Sequence, residues 1–172
     1  IGGAAGMVGA ALIAARAALH LGAGRVYVRL LDGRVDVDPA TPELMFRAPP
    51  ADTVAVTVFG CGLGDGADAR ATLGHALQTA RPCVLDADAL NLIAAGPDGA
   101  ACLRASSALR VLTPHPLEAA RLLGVTAQQV QRDRIDACCA LARASGAWVV
   151  LKGAGTVIAS PGGAWWINPT GS

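Results

Sequence analysis

Aromatic residues and clustered charges are both scarce in this 172-residue chain. Aromatics make up 3% of it, and the formal net charge is +1. No cluster of Lys and Arg is interleaved with aromatics, so nucleic-acid binding has little electrostatic support and we expect no nucleic-acid partner. No apolar run reaches the about 18 uninterrupted residues of a membrane span, so we also expect no membrane partner. The length and the 53% of hydrophobic residues predict one domain with a large core.

The cysteines follow no recognisable framework. Their number, five, is odd, and no C-x-x-C spacing occurs. This pattern argues against a disulfide scaffold and a zinc site, and it favours reduced thiols in a cytoplasmic protein. Small buried hydrophobic side chains are the ordinary role of such residues, which are Cys61, Cys83, Cys102, Cys138 and Cys139.

Both ends of the chain resemble interrupted elements. The sequence opens on Ile1-Gly2-Gly3 without an initiator Met, in a pattern typical of the end of a strand. It closes on residues 168–172, NPTGS, which is typical of the start of a loop. A signal peptide would need a basic start and a cleavage site, and neither occurs. We therefore expect a single domain over residues 1–172 that is truncated at both ends.

Apolar runs of strand length alternate with helical stretches along the chain. The β-branched run at 53–60 is typical of a strand that is buried on both faces. The remaining elements are predicted strands at 25–31, 83–86, 109–113 and 147–153, and predicted helices at 7–21, 67–80, 88–95, 116–123 and 127–146. A β-hairpin turning at residues 161–163 follows. This order predicts an α/β fold with a mostly parallel central sheet and a hairpin near the C-terminus.

Polar and glycine-rich motifs follow the predicted strands. They are GCGLGDG at 60–66, DADALN at 86–91, TPHPLE at 113–118 and KGAGT at 152–156. Because ligands of such folds bind outside the carboxyl ends of the strands, we expect these motifs to converge at one edge of the sheet.

One of these motifs fits a dinucleotide-binding pattern. Gly62-x-Gly64-x-x-Ala67 matches G-x-G-x-x-A, and Asp86 ends the next strand about 20 residues later, where a Rossmann domain places its ribose-binding acid. The match is short in a chain with 21 glycines. The helix after it begins with Asp65 and Asp68, which would repel a phosphate. A nicotinamide-dependent dehydrogenase is therefore the less favoured interpretation.

The other motifs allow two interpretations each. Lys152 can act as a point charge for a phosphate, with the loop amides curling around its oxygens, or it can lie in solvent beside a hairpin turn. His115, between two prolines, can face a ligand or form hydrogen bonds near a helix start. Asp86 and Asp88 can hold a cation or a water, and Asp88 can equally cap a helix.

Taken together and in order, the motifs carry a resemblance that covers nearly the whole chain. They resemble the ADP-dependent (S)-NAD(P)H-hydrate dehydratase family, which repairs hydrated nicotinamide cofactors. The segments that carry the resemblance are IGG…GMVGAALIAARAALHLGAGRVYV, GCGLG, LDADALN, LTPHPLEAARLLG and VVLKGAGTVIA. The resemblance implies a three-layer ribokinase-like fold with helices on both faces of the sheet. It implies dehydration of the S-epimer of NADH hydrate or NADPH hydrate, coupled to hydrolysis of ADP, or of ATP in some relatives, with Mg²⁺. It also implies a homotetramer or a larger assembly.

The resemblance also assigns roles by matched position. Ala10, Gly64 and His115 should contact the hydrate, and the nucleotide site should be lined by Lys152, Gly153, Ala154, Gly155 and Thr156. Cys61 stands where the family usually has proline. The family follows NPTG with a Gly-Thr-Gly-Asp segment whose aspartate is the expected base. We therefore expect no catalytic residue within this chain and place that aspartate beyond Ser172, while the metal ligands stay unassigned.

Two other functions remain open at this point. A ribokinase-like kinase acting on a vitamin alcohol would share the phosphate-binding motifs. A non-catalytic nucleotide-binding domain would fit a chain without the base. The sequence does not decide between ADP and ATP, or between NADH hydrate and NADPH hydrate.

Overall fold

The strands form one sheet whose neighbours follow the order of the chain. The protein is described by a computed structural model that covers residues 1–50, 53–105 and 107–170. The named strands are β1 (Thr57–Phe59), β2 (Cys83–Leu85), β3 (Arg110–Leu112), β4 (Trp148–Leu151), β5 (Thr156–Ala159) and β6 (Trp165–Asn168). Strands β1 to β4 are parallel, whereas β4, β5 and β6 are antiparallel. The predicted mostly parallel sheet and the terminal hairpin are both confirmed.

The sheet continues beyond β1 through single backbone bridges. The Gly60 amide donates to the Ile1 carbonyl at 3.2 Å, so the first residues run beside β1. Gly2 then pairs with Leu30, and Tyr27 pairs with Met45, both in parallel. The strand predicted at 25–31 is therefore present as isolated bridges and not as a regular ladder.

Helices connect the strands and pack on both faces of this sheet. They are α1 (Val8–His20), α2 (Ala67–Leu77), α3 (Asp88–Ala94), a 3₁₀ helix (Gly99–Ala105), α4 (Pro116–Leu123), α5 (Ala127–Arg132) and α6 (Arg134–Ser145). The main core joins α2, α3, α4 and α6 to the inward residues of the strands, such as Phe59, Leu85 and Leu112. Helix α1 packs on a second cluster with Val26, Val28 and Leu30, which alternate along the 26–31 segment. None of the helices in the described ranges is long and apolar enough to cross a membrane.

The connections run in two directions from one point of the sheet. From residues 1–3 the chain passes through α1 to the 26–31 segment, which lies beside residues 1–3 on the side opposite to β1. From β1 it passes through α2 to β2, in the opposite direction. Because parallel crossovers are right-handed, the two directions place α1 and α2 on opposite faces. The carboxyl ends of residues 1–3 and β1 therefore form a switch point, which is where open α/β sheets bind ligands.

The second face of the sheet is only partly covered away from α1. Every second strand residue points to this face. Val58 is 39% exposed there, and the half-buried residues are Val84, Val111, Val150 and Ile158. Near the hairpin the rings of Trp148 and Trp166 stack with centroids 5.8 Å apart. The two faces thus differ sharply in how well they exclude water.

The predicted helix at 127–146 is wrong in one respect. It is divided at Asp133, whose φ of −142° and ψ of 88° are not helical. The Asp133 carboxylate accepts a hydrogen bond from the Asp136 amide at 2.9 Å and so caps the start of α6. Local capping by an aspartate therefore overrides the helical pattern. Thr126 caps the start of α5, and Pro116 lies in the first turn of α4.

Candidate functional site

The carboxyl ends of β1, β2 and β4 converge as expected, and two aspartates link them. The Lys152 ammonium, just after β4, donates to the Asp86 carboxylate at 2.7 Å. The Gly64 amide, in the turn after β1, donates to the Asp88 carboxylate at 2.8 Å. Lys152 is 42% exposed and Asp86 is 26% exposed, so the ion pair faces an accessible edge. Three of the sequence motifs thus form one connected cluster.

The glycine turn after β1 requires its glycines. Gly60, Gly62 and Gly64 have φ values of 117°, 64° and 75°, which side chains other than glycine rarely adopt. A Cβ on Gly62 would lie 3.1 Å from the Cβ of Ala10 and 2.9 Å from that of Met7. The start of α1 therefore packs directly against the turn, and Ala10 lies beside Gly62, whereas the neighbours of Gly64 are Ala4 and Met7.

Arg134 supports the loop after β4, a role that the sequence did not reveal. Its guanidinium donates to the carbonyls of Leu151 at 3.1 Å and Lys152 at 3.3 Å. A Cβ on Gly153, whose φ is 145°, would lie 2.8 Å from a guanidinium nitrogen of Arg134. The first residue of α6 thus fixes the course of the KGAGT loop and requires glycine at its first turn.

The hydroxyl of Thr156 is already engaged within this loop. It donates to the Gly153 carbonyl at 2.9 Å and accepts from the Gly153 amide at 3.3 Å. Gly155, which precedes it, has a φ of 64°. The loop therefore closes into one turn, which is formed by Lys152, Gly153, Ala154, Gly155 and Thr156. Lys152 is also the only lysine of the chain.

His115 caps helix α4. Its Nδ1 accepts from the amides of Leu117 at 3.1 Å and Glu118 at 3.3 Å, and its Nε2 lies 3.2 Å from a Glu118 carboxylate oxygen. The Glu118 side chain in turn accepts from the His115 amide at 2.8 Å, which completes a capping box. His115 thus forms hydrogen bonds at the start of a helix, which is one of the two interpretations that the sequence allowed. Its ring is half-exposed, so part of it faces solvent.

Cys61 lies inside the cluster but has the environment of an unreactive thiol. Burial raises its pKa above the ordinary value, and the negative charge of Asp86 raises the pKa further. The thiolate is the nucleophilic form, so neutral pH favours the inert thiol. All five cysteines are free, as the odd count predicted.

A cleft of about 690 Å³ opens beside Gly64 at the switch point. Its walls come from the 4–7, 31–34 and 63–69 segments. Arg34 lies at its border and pairs with the buried carboxylate of Asp32, whose pKa it lowers through hydrogen bonding. Lys152 does not line this cleft, so the cluster has a roomy side at Gly64 and a charged side at Lys152.

Asp86, the residue at the position of a ribose-binding acid, pairs with a side chain of this protein. Asp86 is bound to Lys152 and does not stand free beside the G-x-G turn, and Asp68 lies in the first turn of α2. Asp88 accepts from Gly64 and is the first residue of α3, so it is not the N-cap, which is Ala87. This arrangement does not favour a Rossmann pyrophosphate site.

Comparisons with known proteins agree on one family. The family model described as NAD(P)H-hydrate dehydratase matches residues 1–172. The chain is 42% identical to the ADP-dependent (S)-NAD(P)H-hydrate dehydratase of Neisseria meningitidis, over the whole chain and 60% of that protein. It is 40% identical to the bifunctional NAD(P)H-hydrate repair enzyme of Coxiella burnetii, over the whole chain and 36% of that protein.

Solved structures give the same answer for the fold. The ADP/ATP-dependent NAD(P)H-hydrate dehydratase of Bacillus subtilis, crystallised with ATP and Mg²⁺ and soaked with coenzyme A, superposes with a TM-score of 0.81 at 28% identity. That match covers 99% of this chain and 64% of the Bacillus chain. A ribokinase-like superfamily protein of Enterococcus faecalis, 22% identical, has a TM-score of 0.79 and shows the fold alone. The predicted ribokinase-like fold is confirmed, and the chain spans less than two thirds of these relatives.

Proposed function

Because the chain belongs to the NAD(P)H-hydrate dehydratase family, we propose that the protein restores NAD(P)H from its S-hydrate and converts ADP to AMP and phosphate. The observation that carries this proposal is the single cluster in which Asp86 holds Lys152 while Asp88 holds Gly64. It joins a cation suited to phosphate with a glycine turn that opens into a cleft. A hydrate and a nucleotide can thus meet at one sheet edge.

The two sides of the cluster divide the substrates. We assign the hydrate to the side of Ala10, Gly64 and His115. Of these three residues, Gly64 lines the cleft, which gives room for a dinucleotide. We assign the ADP phosphates to Lys152 and to the loop through Thr156. Two N–H groups of the Lys152 ammonium remain for phosphate oxygens while the third stays on Asp86. His115 meets the hydrate either through its ring or by giving up its contact with Glu118.

Phosphoryl transfer accounts for the use of ADP. The hydroxide of the hydrate is a poor leaving group, so the hydroxyl oxygen attacks the β-phosphorus of ADP and AMP leaves. The lone pair of the ring nitrogen then expels phosphate by breaking the carbon–oxygen bond, and a proton leaves the neighbouring ring carbon. Hydrate and ADP thus give NAD(P)H, AMP and phosphate. Lys152 lowers the cost of charge on the transferred group, and a general base accepts the hydroxyl proton.

Mg²⁺ is the cation that we expect to accompany ADP. No group of three or more His, Cys, Asp or Glu side chains in the described ranges is arranged to hold a metal ion. Mg²⁺ is often bound mainly through substrate phosphates and water, so it needs few ligands from the protein. Its chemistry would be to neutralise phosphate charge during transfer.

Titration calorimetry with the S-hydrate of NADH and with NADH tests the proposal. We expect clear preference for the hydrate, because the residues at Gly64 would contact the altered ring. Recovery of the absorbance of reduced nicotinamide with ADP and Mg²⁺ is the second measurement. Equal affinity for hydrate and NADH, or phosphorylation of a vitamin alcohol without hydrate turnover, would contradict the proposal.

We further propose a cytoplasmic protein that forms a homotetramer or a larger assembly. The five free thiols support a reducing compartment. The resemblance supports the assembly. Light scattering coupled to size exclusion measures the assembly directly, and a mass equal to one chain would contradict it.

A further inference from the structure

The segment Asp86-Ala87-Asp88 connects the two halves of the cluster within three residues. Asp86 binds the Lys152 ammonium and Asp88 binds the Gly64 amide, at 2.7 Å and 2.8 Å. The segment is itself fastened to β1, because the Asp86 amide donates to Phe59 and the Asp88 amide donates to Gly60. Neither carboxylate needs to touch a reacting atom in order to set the distance between the two halves.

Ala87 makes this link in a strained backbone conformation. Its φ of 49° and ψ of −117° make it the only residue other than glycine with a positive φ in the described part of the chain. Such a conformation persists only where the surrounding structure enforces it, and it is concentrated at functional sites. Here it lets β2 end at Leu85 and α3 begin at Asp88, so both aspartates lie at the sheet edge.

We propose that Asp86-Ala87-Asp88 is a positioning segment that holds the nucleotide-binding Lys152 and the hydrate-binding Gly64 in register. The inference rests on the proposed function for the identity of the two ligands. Asp86 acts through its charge, which orients the ammonium. Asp88 acts as a hydrogen-bond acceptor, which fixes the Gly64 amide at its φ of 75°.

Substitutions separate these two roles. Asp86→Asn removes the charge, so ADP should bind roughly tenfold more weakly while hydrate affinity stays within about twofold. Asp88→Ala should weaken hydrate binding by a similar factor and spare ADP. Asp88→Asn should restore hydrate binding, because the amide oxygen still accepts from Gly64. Asp98→Asn, an exposed acid outside the cluster, is the matched control and should change neither affinity.

Two measurements need no ligand. Lys152 is the only lysine, so its acylation by an amine reagent can be followed by peptide mass spectrometry. Asp86→Asn should accelerate this labelling several-fold, and Asp88→Asn should leave it unchanged. Hydrogen exchange of the Gly64 amide, followed by NMR, should be faster in Asp88→Ala and normal in Asp88→Asn.

The outcomes distinguish the two proposals. If the wild type binds neither ligand while labelling and exchange follow this pattern, the proposed function fails and the positioning of Lys152 and Gly64 stands. Tighter ADP binding in Asp86→Asn would show that the carboxylate competes with phosphate, and would overturn the inference. Equal weakening of both ligands by Asp86 and Asp88 variants, with a lower melting temperature, would mark the segment as merely structural and would also overturn it.

Discussion

Gly60→Ala should be among the most destabilising single substitutions at the site. Gly60 has a φ of 117° and follows β1 directly. A Cβ there would overlap the carbonyl oxygen of Asp86 and lie 2.9 Å from the Cβ of Ala89. The Asp86 oxygen belongs to the backbone, and Ala89 is buried in α3. Neither atom can therefore shift without disturbing the surrounding structure.

The expected magnitude follows from two contributions. An alanine forced into a sparsely populated backbone region costs about 1–3 kcal/mol. Relief of the overlap would separate β1 from the 86–88 turn and weaken two hydrogen bonds, from the Gly60 amide to Ile1 and from the Asp88 amide to Gly60. Each is worth about 0.5–1.5 kcal/mol. The free energy of unfolding should fall by about 2–6 kcal/mol, a large part of the about 5–15 kcal/mol of a typical domain.

Urea unfolding measures this change, with Gly74→Ala as the matched control. Gly74 lies exposed within α2, and a Cβ there would meet nothing within 4 Å. The control should therefore gain about 0.4–1 kcal/mol from the lower entropy of the unfolded chain. With a slope of about 2 kcal/mol/M, the midpoint for Gly60→Ala should fall by about 1–3 M. An unchanged midpoint for Gly60→Ala would refute the close contact with Asp86.

Two further predictions concern charge. Lys152→Ala should weaken ADP binding by about 1.5–3 kcal/mol, the scale of a charge-assisted hydrogen bond, and affect hydrate binding less; unchanged ADP affinity by calorimetry would leave KGAGT as a turn only. The Asp38 carboxylate, bound by Arg16 at 2.7 Å, has a lowered pKa in the folded protein, chiefly through that hydrogen bond. Its contribution to stability is therefore complete above the unfolded pKa of about 3.9 and is lost as pH falls through the folded value. Asp38→Asn should lower stability at neutral pH and flatten the acid limb of the unfolding curve, whereas the exposed Asp36→Asn should do neither.

The positions of Lys152, Gly64 and Asp86 could be predicted together because topology brings the carboxyl ends of parallel strands to one edge. The sequence pattern identified these ends from the apolar runs before them. The capping role of His115 could be predicted only in part from the sequence around it. Pro116 and Glu118 after it are the first and third residues of a capped helix, and a histidine takes the place of the usual serine or threonine.

The residues that sequence reasoning missed act through tertiary contacts. Arg134 lies in a continuous helical pattern, and only Asp133, a good capping residue, hinted that a new helix begins there. Its carbonyl partners at 151 and 152 are distant in sequence, so no local pattern encodes the contact. The positive φ of Ala87 is equally hidden, because alanine carries no preference for that conformation.

The uneven covering of the two sheet faces has a calorimetric consequence. The heat capacity of unfolding comes mainly from apolar surface that becomes newly hydrated. Val58, Val84, Val111 and their neighbours on the second face already contact water in part, so they contribute less than core residues do. A 172-residue protein would ordinarily show about 2.1–2.6 kcal/mol/K. This chain should fall below that range, and its stability should therefore vary with temperature along a flatter curve.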